Sequence, residues 1–312
     1  MGRLLGADVL DVRALPGGRS SITLLATVAG IGPVVVKVAP DGLAPVGNRD
    51  VLRQAAVLHA LEGVDGLAVP RVLATDAAAP PLFAMTHVAG DSFEPVNGDD
   101  ELPPDAVLDR RTRAAARMLA RLHAVDLVAA GLGGEAVVTL DEEVERWHRA
   151  LDTLDLDRLD GAHHEGADAL RQSMPEPVAP AVIHGDWRLG NMIAVGDAVA
   201  AVIDWEIWAL GDPRVDLAWF LATSVFADNV FARRDPPGMP SRGELLTEYE
   251  DARGAAVADL DWFMALVAFK QAATVGLIAK HNRRAGHPDL TFEAAVPVLL
   301  SRARSPRGVR HG

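Results

Sequence analysis

The chain has 312 residues, 49% of them apolar and 23% charged, with no cysteine and a formal net charge of -13. That composition excludes disulfides, thiolate nucleophiles and cysteine-based zinc or iron-sulfur sites, and it argues against nucleic-acid and anionic-membrane partners, which recruit clustered Lys and Arg. No uninterrupted apolar run reaches the roughly 18 to 20 residues of a membrane span, and the N-terminus lacks the sustained apolar core of a signal peptide, so a cytoplasmic protein is expected.

In chain order, the first 90 residues read as strands and turns around one helix. ITLLATV (22–28) and PVVVKVA (33–39) are β-branched apolar runs joined by AGIG, a hairpin signal. Asn48 is the expected N-cap of a helix with Asp50 in its first turn and Val51, Leu52, Ala55, Leu58 and Leu61 at helical spacing. VPRVLAT (69–75) and PLFAMTHV (81–88) follow as strands, and Ala89-Gly90 closes the second. A polar stretch (91–105) then gives way to an Ala-, Arg- and Leu-rich helix over 106–127, a second around 141–157 and a third through 166–173. Two short apolar strands, AVIH (181–184) and AAVIDW (200–205), bracket a central motif, and the remaining third is mostly helical. The expectation is an N-terminal lobe over 1–88 with a hinge at 85–90, and a helical lobe over 91–312.

The motif VIHGDWRLGNMI (182–193) sets His184, Asp186 and Asn191 in H-x-D-x-x-x-x-N spacing. Phosphoryl transfer needs a carboxylate to orient an acceptor hydroxyl, oxygen ligands for magnesium, a cation on the nucleotide phosphates and a flexible loop over them. Asp186 and Asn191 can supply the base and a metal-ligating amide from one loop, and Asp204, ending AAVIDW, can aim at the same metal. Upstream, Lys37 shares a sheet face with Val35 and Ala39, where an unpaired ammonium is costly, so an anionic partner is expected. LPGGRSSIT (15–23) puts Gly17, Gly18, Ser20 and Ser21 at a strand turn whose N–H groups can approach phosphate oxygens, although an ordinary hairpin explains it as well.

These residues, with LFAMTHVAG, LARLHAVDL and VIDWEIWALGDPRVDLAWF in the same order, resemble the aminoglycoside-phosphotransferase and choline-kinase family. The DWEIWALGDPRVDLAW segment is most similar to the subgroup found beside, or fused to, acyl-CoA dehydrogenases. The resemblance implies an α+β, protein-kinase-like fold of two lobes, a small antiparallel-sheet lobe and a large, mainly helical one. It implies an ATP- and Mg2+-dependent kinase acting on a small-molecule hydroxyl, either a hydroxyacyl-CoA-type or an aminoglycoside-like compound. It makes Asp186 the catalytic base and Asn191 and Asp204 the magnesium ligands. Lys37 would contact the α- and β-phosphates, Met85, Thr86 and Val88 would lie in the hinge strand beside adenine, and Asp216 with the turn at 211–213 would brace the catalytic loop.

One position departs from the family pattern: Gln54 stands where a glutamate pairs with the lysine. Gln54 can accept a hydrogen bond from Lys37 but supplies no charge, whereas Asp50, one turn earlier on the same face, can substitute as the anion; a nucleotide-binding pseudokinase is the alternative function. The other polar groups have plainer readings. The pair His163-His164 reads as solvated surface in a polar loop, and no His/Asp cluster with metal-ligand spacing accompanies the HGD tripeptide. Trp187, Trp205, Trp208 and Trp219 read as core. Lys270, Lys280, Arg283 and Arg284 read as a solvated helix face that can also meet an anionic substrate.

Overall fold

The computed structural model describes residues 2–304 except 16–20, 43, 45, 93, 99–100, 155–158 and 288–289. A short helix α1 (Gly2–Leu5) leads into five antiparallel strands, β1 (Val9–Ala14), β2 (Ile22–Val28), β3 (Gly32–Val38), β4 (Val72–Asp76) and β5 (Leu82–Thr86), arranged β1-β2-β3-β5-β4. Period-2 alternation divides the faces. Ala26, Val28, Val34, Val36 and Ala84 pack on one side, with Leu5 and Val9 against them. Ala39, Phe83 and Met85 join Val51, Leu58 and Leu61 of helix α2 (Val51–Leu61) on the other. Lys37 is buried and pairs in register with Phe83 and Thr23.

Helix α2 starts at Val51 because the Asp50 carboxylate caps it, accepting from Leu52 N at 3.1 Å and Arg53 N at 3.0 Å. Asn48, the expected cap, instead lies in a 3-10 turn over Gly47–Arg49. Strand β4 begins three residues later than expected, past Pro70, whose ring nitrogen has no hydrogen to give a ladder.

The chain leaves the sheet at Gly90. Its φ of 151° is open to glycine, and a Cβ there would sit 2.5 Å from the Ala194 carbonyl oxygen. Asp91 and Ala194 then exchange backbone hydrogen bonds of 2.9 Å, which fastens the connection to the second lobe.

That lobe holds α3 (Asp105–Leu122), α4 (Leu140–Asp152), α5 (Ala162–Gln172), α6 (Pro213–Ser224), α7 (Arg242–Arg253), α8 (Leu260–Arg284) and α9 (Leu290–Ala303). Its strands are β6 (Val137–Val138), β7 (Ala181–Ile183), β8 (Met192–Val195), β9 (Ala198–Val202) and β10 (Ala209–Gly211), the pair β8-β9 forming a hairpin and β6-β10-β7 a small sheet. The helices α3 and α4 stop at Leu122 and Asp152, each about five residues short of the expected end, and α5 begins at Ala162, four residues before its expected start. At 25 residues α8 is long and apolar enough to cross a membrane, but most of it is buried as the spine of this lobe. Phe263, Leu266, Phe269 and Ala273 on α8 pack with Val144, Leu170, Trp219 and Leu300 in one core.

Candidate active site

The central motif is the turn between β7 and β8, and its backbone is tied down by one buried carboxylate. Asp216, in the first turn of α6, accepts from His184 N at 2.5 Å and Gly185 N at 2.8 Å. It can reach both because Asp212 caps α6 with Pro213 at the first helical position, and Gly185 adopts φ 84° where a Cβ would meet Ile207 O at 2.9 Å. Burial alone would raise the Asp216 carboxyl, but His123, His184 and the His184 amide outweigh it and hold it below the usual carboxylate range. His123 Nε2 lies 3.7 Å from Asp216 Oδ2, beyond hydrogen-bond distance, so that contact is electrostatic.

His184 is fully buried; its Nδ1 accepts from Asp186 N at 3.2 Å, and its Nε2 donates to Ile203 O at 2.9 Å. One imidazole thus links the Asp186 loop to the residue preceding Asp204. Ile203 N in turn donates to Asn191 O at 2.8 Å. Asp204 itself has φ 67°, a left-handed conformation that costs energy in a non-glycine residue.

Three groups donate to the Asp186 carboxylate, and a cation lies behind its loop. Asn191 Nδ2 and Arg188 Nε donate to Oδ2 at 2.8 and 3.0 Å, Trp219 Nε1 donates to Oδ1 at 2.8 Å, and Lys270 lies behind the loop. The Lys270 ammonium is buried, donates to Gly185 O at 2.6 Å and sits 3.9 Å from the centre of the Trp219 ring. Burial pushes the Asp186 carboxyl up, yet Arg188 and Lys270 together carry it below its ordinary value. Burial lowers the Lys270 ammonium, against the pull of Glu143 and Asp186. Arg188 also pairs with Glu94 of the inter-lobe connection, whose carboxylate accepts from Gly190 N at 2.9 Å. Burial raises the Glu94 carboxyl above the ordinary range, with Arg188 opposing.

Lys37 Nζ donates to Gln54 Oε1 at 3.2 Å and to Asp204 Oδ1 at 3.0 Å. The expected pairing with Asp50 is therefore corrected: that carboxylate is committed to the α2 N-terminus, and Gln54 holds the lysine instead. Gln54 Nε2 is anchored on Asn48 O at 3.3 Å.

A cleft of about 850 Å³ runs between the lobes. Ser21, Lys37, Met85, Thr86 and Val88 border it from the sheet side, Asp186, Asn191 and Asp204 from the other. Gly18 and Ser20 lie outside the described residues, and Ser21 Oγ is buried with no hydrogen-bond partner among the described residues. A second cavity of about 680 Å³ opens on the far side of Asp186, bordered by Glu94, Arg188, Trp219, Phe231, Arg233 and Phe292. Asp186 and Arg188 line both.

Several of these residues fall outside the site as read from sequence. Arg188 lies inside the motif, two residues from Asp186. Trp219 is buried in the core, as its pattern predicts, but it also donates its indole N–H to Asp186. Lys270 is not a solvated face, and its one sequence signal is a lysine in a 25-residue helix that is otherwise apolar around it. The other cations of that group point elsewhere, Lys280 to Thr153 O and Arg283 to Glu293. His163 and His164 belong to α5 rather than a loop, and with His148 and Asp152 they form the His/Asp cluster whose presence was not expected.

The model of the phosphotransferase enzyme family matches residues 11–262. Acyl-CoA dehydrogenase family member 11 of Gallus gallus is 30% identical over 296 residues, which cover 88% of this chain and 37% of that protein, so the chain spans little more than a third of the relative's length. Among solved structures, a protein from Ralstonia eutropha provisionally classed as an aminoglycoside phosphotransferase superimposes with a TM-score of 0.78 at 22% identity, covering 96% of this chain and 92% of that one. The APH(2'') enzyme in its GDP and kanamycin complex gives 0.64 at 20% identity, covering 96% and 95%. The structural matches establish a shared fold, and the family match establishes membership: the chain belongs to the phosphotransferase enzyme family.

Proposed function

We propose, from that membership, that the protein is an ATP- and magnesium-dependent kinase that phosphorylates the hydroxyl of a small hydroxyacyl compound such as a hydroxyacyl-CoA. The observation that carries this reading is the position of Asp186 on the border of two cavities. A nucleotide in the inter-lobe cleft and an acceptor in the second cavity would meet at its carboxylate. That the structural neighbour forms a complex with GDP and kanamycin supports a nucleotide as one of the two ligands.

The donor set fits magnesium, a hard cation that takes oxygen ligands. Donation of Asn191 Nδ2 to Asp186 leaves the amide oxygen as that side chain's acceptor, and the Asp204 side chain is 41% exposed with Oδ1 on Lys37. Asn191 and Asp204 would hold the ion, which when bound neutralises charge on the β- and γ-phosphate oxygens. The rest is the work of this chain's residues. Trp219 and Asn191 fix the Asp186 carboxylate, and Arg188 and Lys270 keep it ionised, ready to orient the acceptor hydroxyl. The hydroxyl oxygen bonds to the γ-phosphorus, the bond from that phosphorus to the β-bridging oxygen breaks, and Asp186 receives the proton late. Lys37 lies beside the phosphates, positioned by Gln54 and Asp204.

For the acceptor, Arg188 and Arg233 border the second cavity together with Phe231 and Phe292. Glu94 and Asp186 border the same cavity and both pair with Arg188, so its charges balance and the aromatic pair, an apolar wall for an acyl chain, is what favours an acyl compound. The likeness to a protein named for acyl-CoA dehydrogenation points the same way. The test is substrate-stimulated ADP release across hydroxyacyl-CoAs, aminoglycosides, macrolides and choline. Stimulation by a hydroxyacyl-CoA supports the reading, stimulation by an aminoglycoside alone overturns the acceptor class, and no stimulation by any member leaves a nucleotide-binding protein without transfer activity.

A further inference from the structure

Three of the chain's ten histidines meet on the outer side of the helical lobe, away from the two cavities. His148 and Asp152 are one turn apart on α4 and so share a face, and His163 and His164 open α5, which packs against α4. Their rings crowd together, with centroids 3.9 Å apart for His163 and His164, 5.0 Å for His148 and His164, and 5.8 Å for His148 and His163. His148 Nε2 lies 2.8 Å from His164 Nδ1 and 3.8 Å from Asp152 Oδ1, and His163 Nε2 lies 3.1 Å from the same Asp152 oxygen.

We propose that His148, Asp152, His163 and His164 form a zinc site that staples α4 to α5. Each residue offers one ligand atom, and the four atoms lie within 4.8 Å of one another. Tetrahedral zinc with bonds of about 2.0 to 2.1 Å sets its ligand atoms about 3.3 to 3.4 Å apart. The observed separations bracket that value, so small side-chain rotations bring all four onto one ion. Three imidazole nitrogens and one carboxylate oxygen suit zinc, whereas magnesium and calcium prefer all-oxygen shells. Four protein ligands close the coordination sphere, which makes the site structural.

An outer layer is also present. His148 Nδ1 faces Glu145 Oε2 at 3.8 Å, and Glu145 is held by Arg171 at 2.7 Å and Arg149 at 3.0 Å. At that distance the contact is electrostatic, and a small rotation of the ring would bring the carboxylate into the outer-shell position behind a ligating imidazole. His164 and Asp152 are exposed and His163 is buried, so an ion can enter from solvent and seat against the helix pair. The neighbouring Trp147 lies 5.4 Å from Lys270 Nζ, so stapling α4 would also steady the wall behind the Asp186 loop.

The test uses the full untagged chain, stripped with a chelator and titrated with zinc against a chromophoric competitor, with cobalt(II) as a spectroscopic substitute. One zinc per chain at micromolar affinity or better, tetrahedral cobalt absorption in the visible range and a raised melting temperature are expected. His148→Ala, at a half-buried position, and His164→Ala, at an exposed one, should each weaken binding by about 100-fold or more, since losing an outer-shell partner alone costs about 10- to 100-fold. Asp204→Asn should leave this zinc affinity unchanged. No binding at micromolar zinc, a six-coordinate cobalt spectrum, or wild-type affinity in both histidine variants overturns the proposal.

Discussion

The indole N–H of Trp219 donates to Asp186 Oδ1 at 2.8 Å, while the face of the same ring carries the Lys270 ammonium at 3.9 Å. One aromatic side chain therefore orients the proposed base and seats the cation that keeps it ionised. Trp219→Phe removes the donor and keeps much of the ring. A hydrogen bond to a charged group contributes about 1.5 to 3 kcal/mol, so turnover should fall about 10- to 100-fold. Steady-state kinetics would check this, with the Michaelis constant for nucleotide near its wild-type value.

Lys270→Met tests the electrostatic half of that arrangement. With the ammonium gone, the Asp186 carboxyl rises toward the carboxylate range that burial favours, and ionised base is lost at higher pH. The acid limb of the pH-rate profile should move up in the variant, whereas an unmoved limb would mean that Lys270 serves only packing. The Gly185 carbonyl would also lose its 2.6 Å partner, and an unsatisfied buried acceptor costs about 1 to 3 kcal/mol, readable as a lower melting temperature.

Gln54 and Asp50 separate positioning from capping. Gln54→Ala frees Lys37 from one of its two anchors and should raise the Michaelis constant for nucleotide several-fold with little loss of stability. Asp50→Ala removes the α2 cap and should cost about 0.5 to 2 kcal/mol of stability while leaving nucleotide kinetics near wild type. Kinetics and urea unfolding on both variants would distinguish the roles.

His123 gives stability a pH dependence. Burial lowers its imidazole below 6.5, with Asp216 opposing. Between that lowered value and 6.5 the unfolded chain binds a proton that the folded chain does not, so the contribution is fully present above pH 6.5 and is lost as pH falls through that window. Melting temperatures from pH 8 to 5 should decline, and His123→Gln, which does not titrate, should flatten the decline.

How much of this was legible in the sequence depends on the range of the contacts. The alternation PVVVKVA places Lys37 on the cleft side of its sheet, and the H-x-D-x-x-x-x-N spacing brings Asp186 beside Asn191, because both are local properties of strand and turn. Gln54 versus Asp50 turned on where α2 starts: a two-residue shift in the cap commits one carboxylate to the helix and leaves the amide facing the lysine. Trp219, Lys270 and Glu94 reach the site from 33, 84 and 92 residues away from Asp186 in sequence; a lysine within a long apolar helix is the one signal among them, and no pattern along the chain distinguishes Trp219 or Glu94 from core or surface. The His148 and His163-His164 cluster likewise appears only when α4 and α5 pack together.

The central claim, that Asp186 is the base of a kinase working between two cavities, is tested most directly by comparing wild type with Asp186→Asn in two readouts, acceptor-stimulated ADP release and the melting-temperature rise with magnesium-ATP. The account predicts that the variant keeps the thermal shift and loses ADP release to background, because Asp186 meets the acceptor rather than the nucleotide. Wild-type ADP release by Asp186→Asn would contradict it.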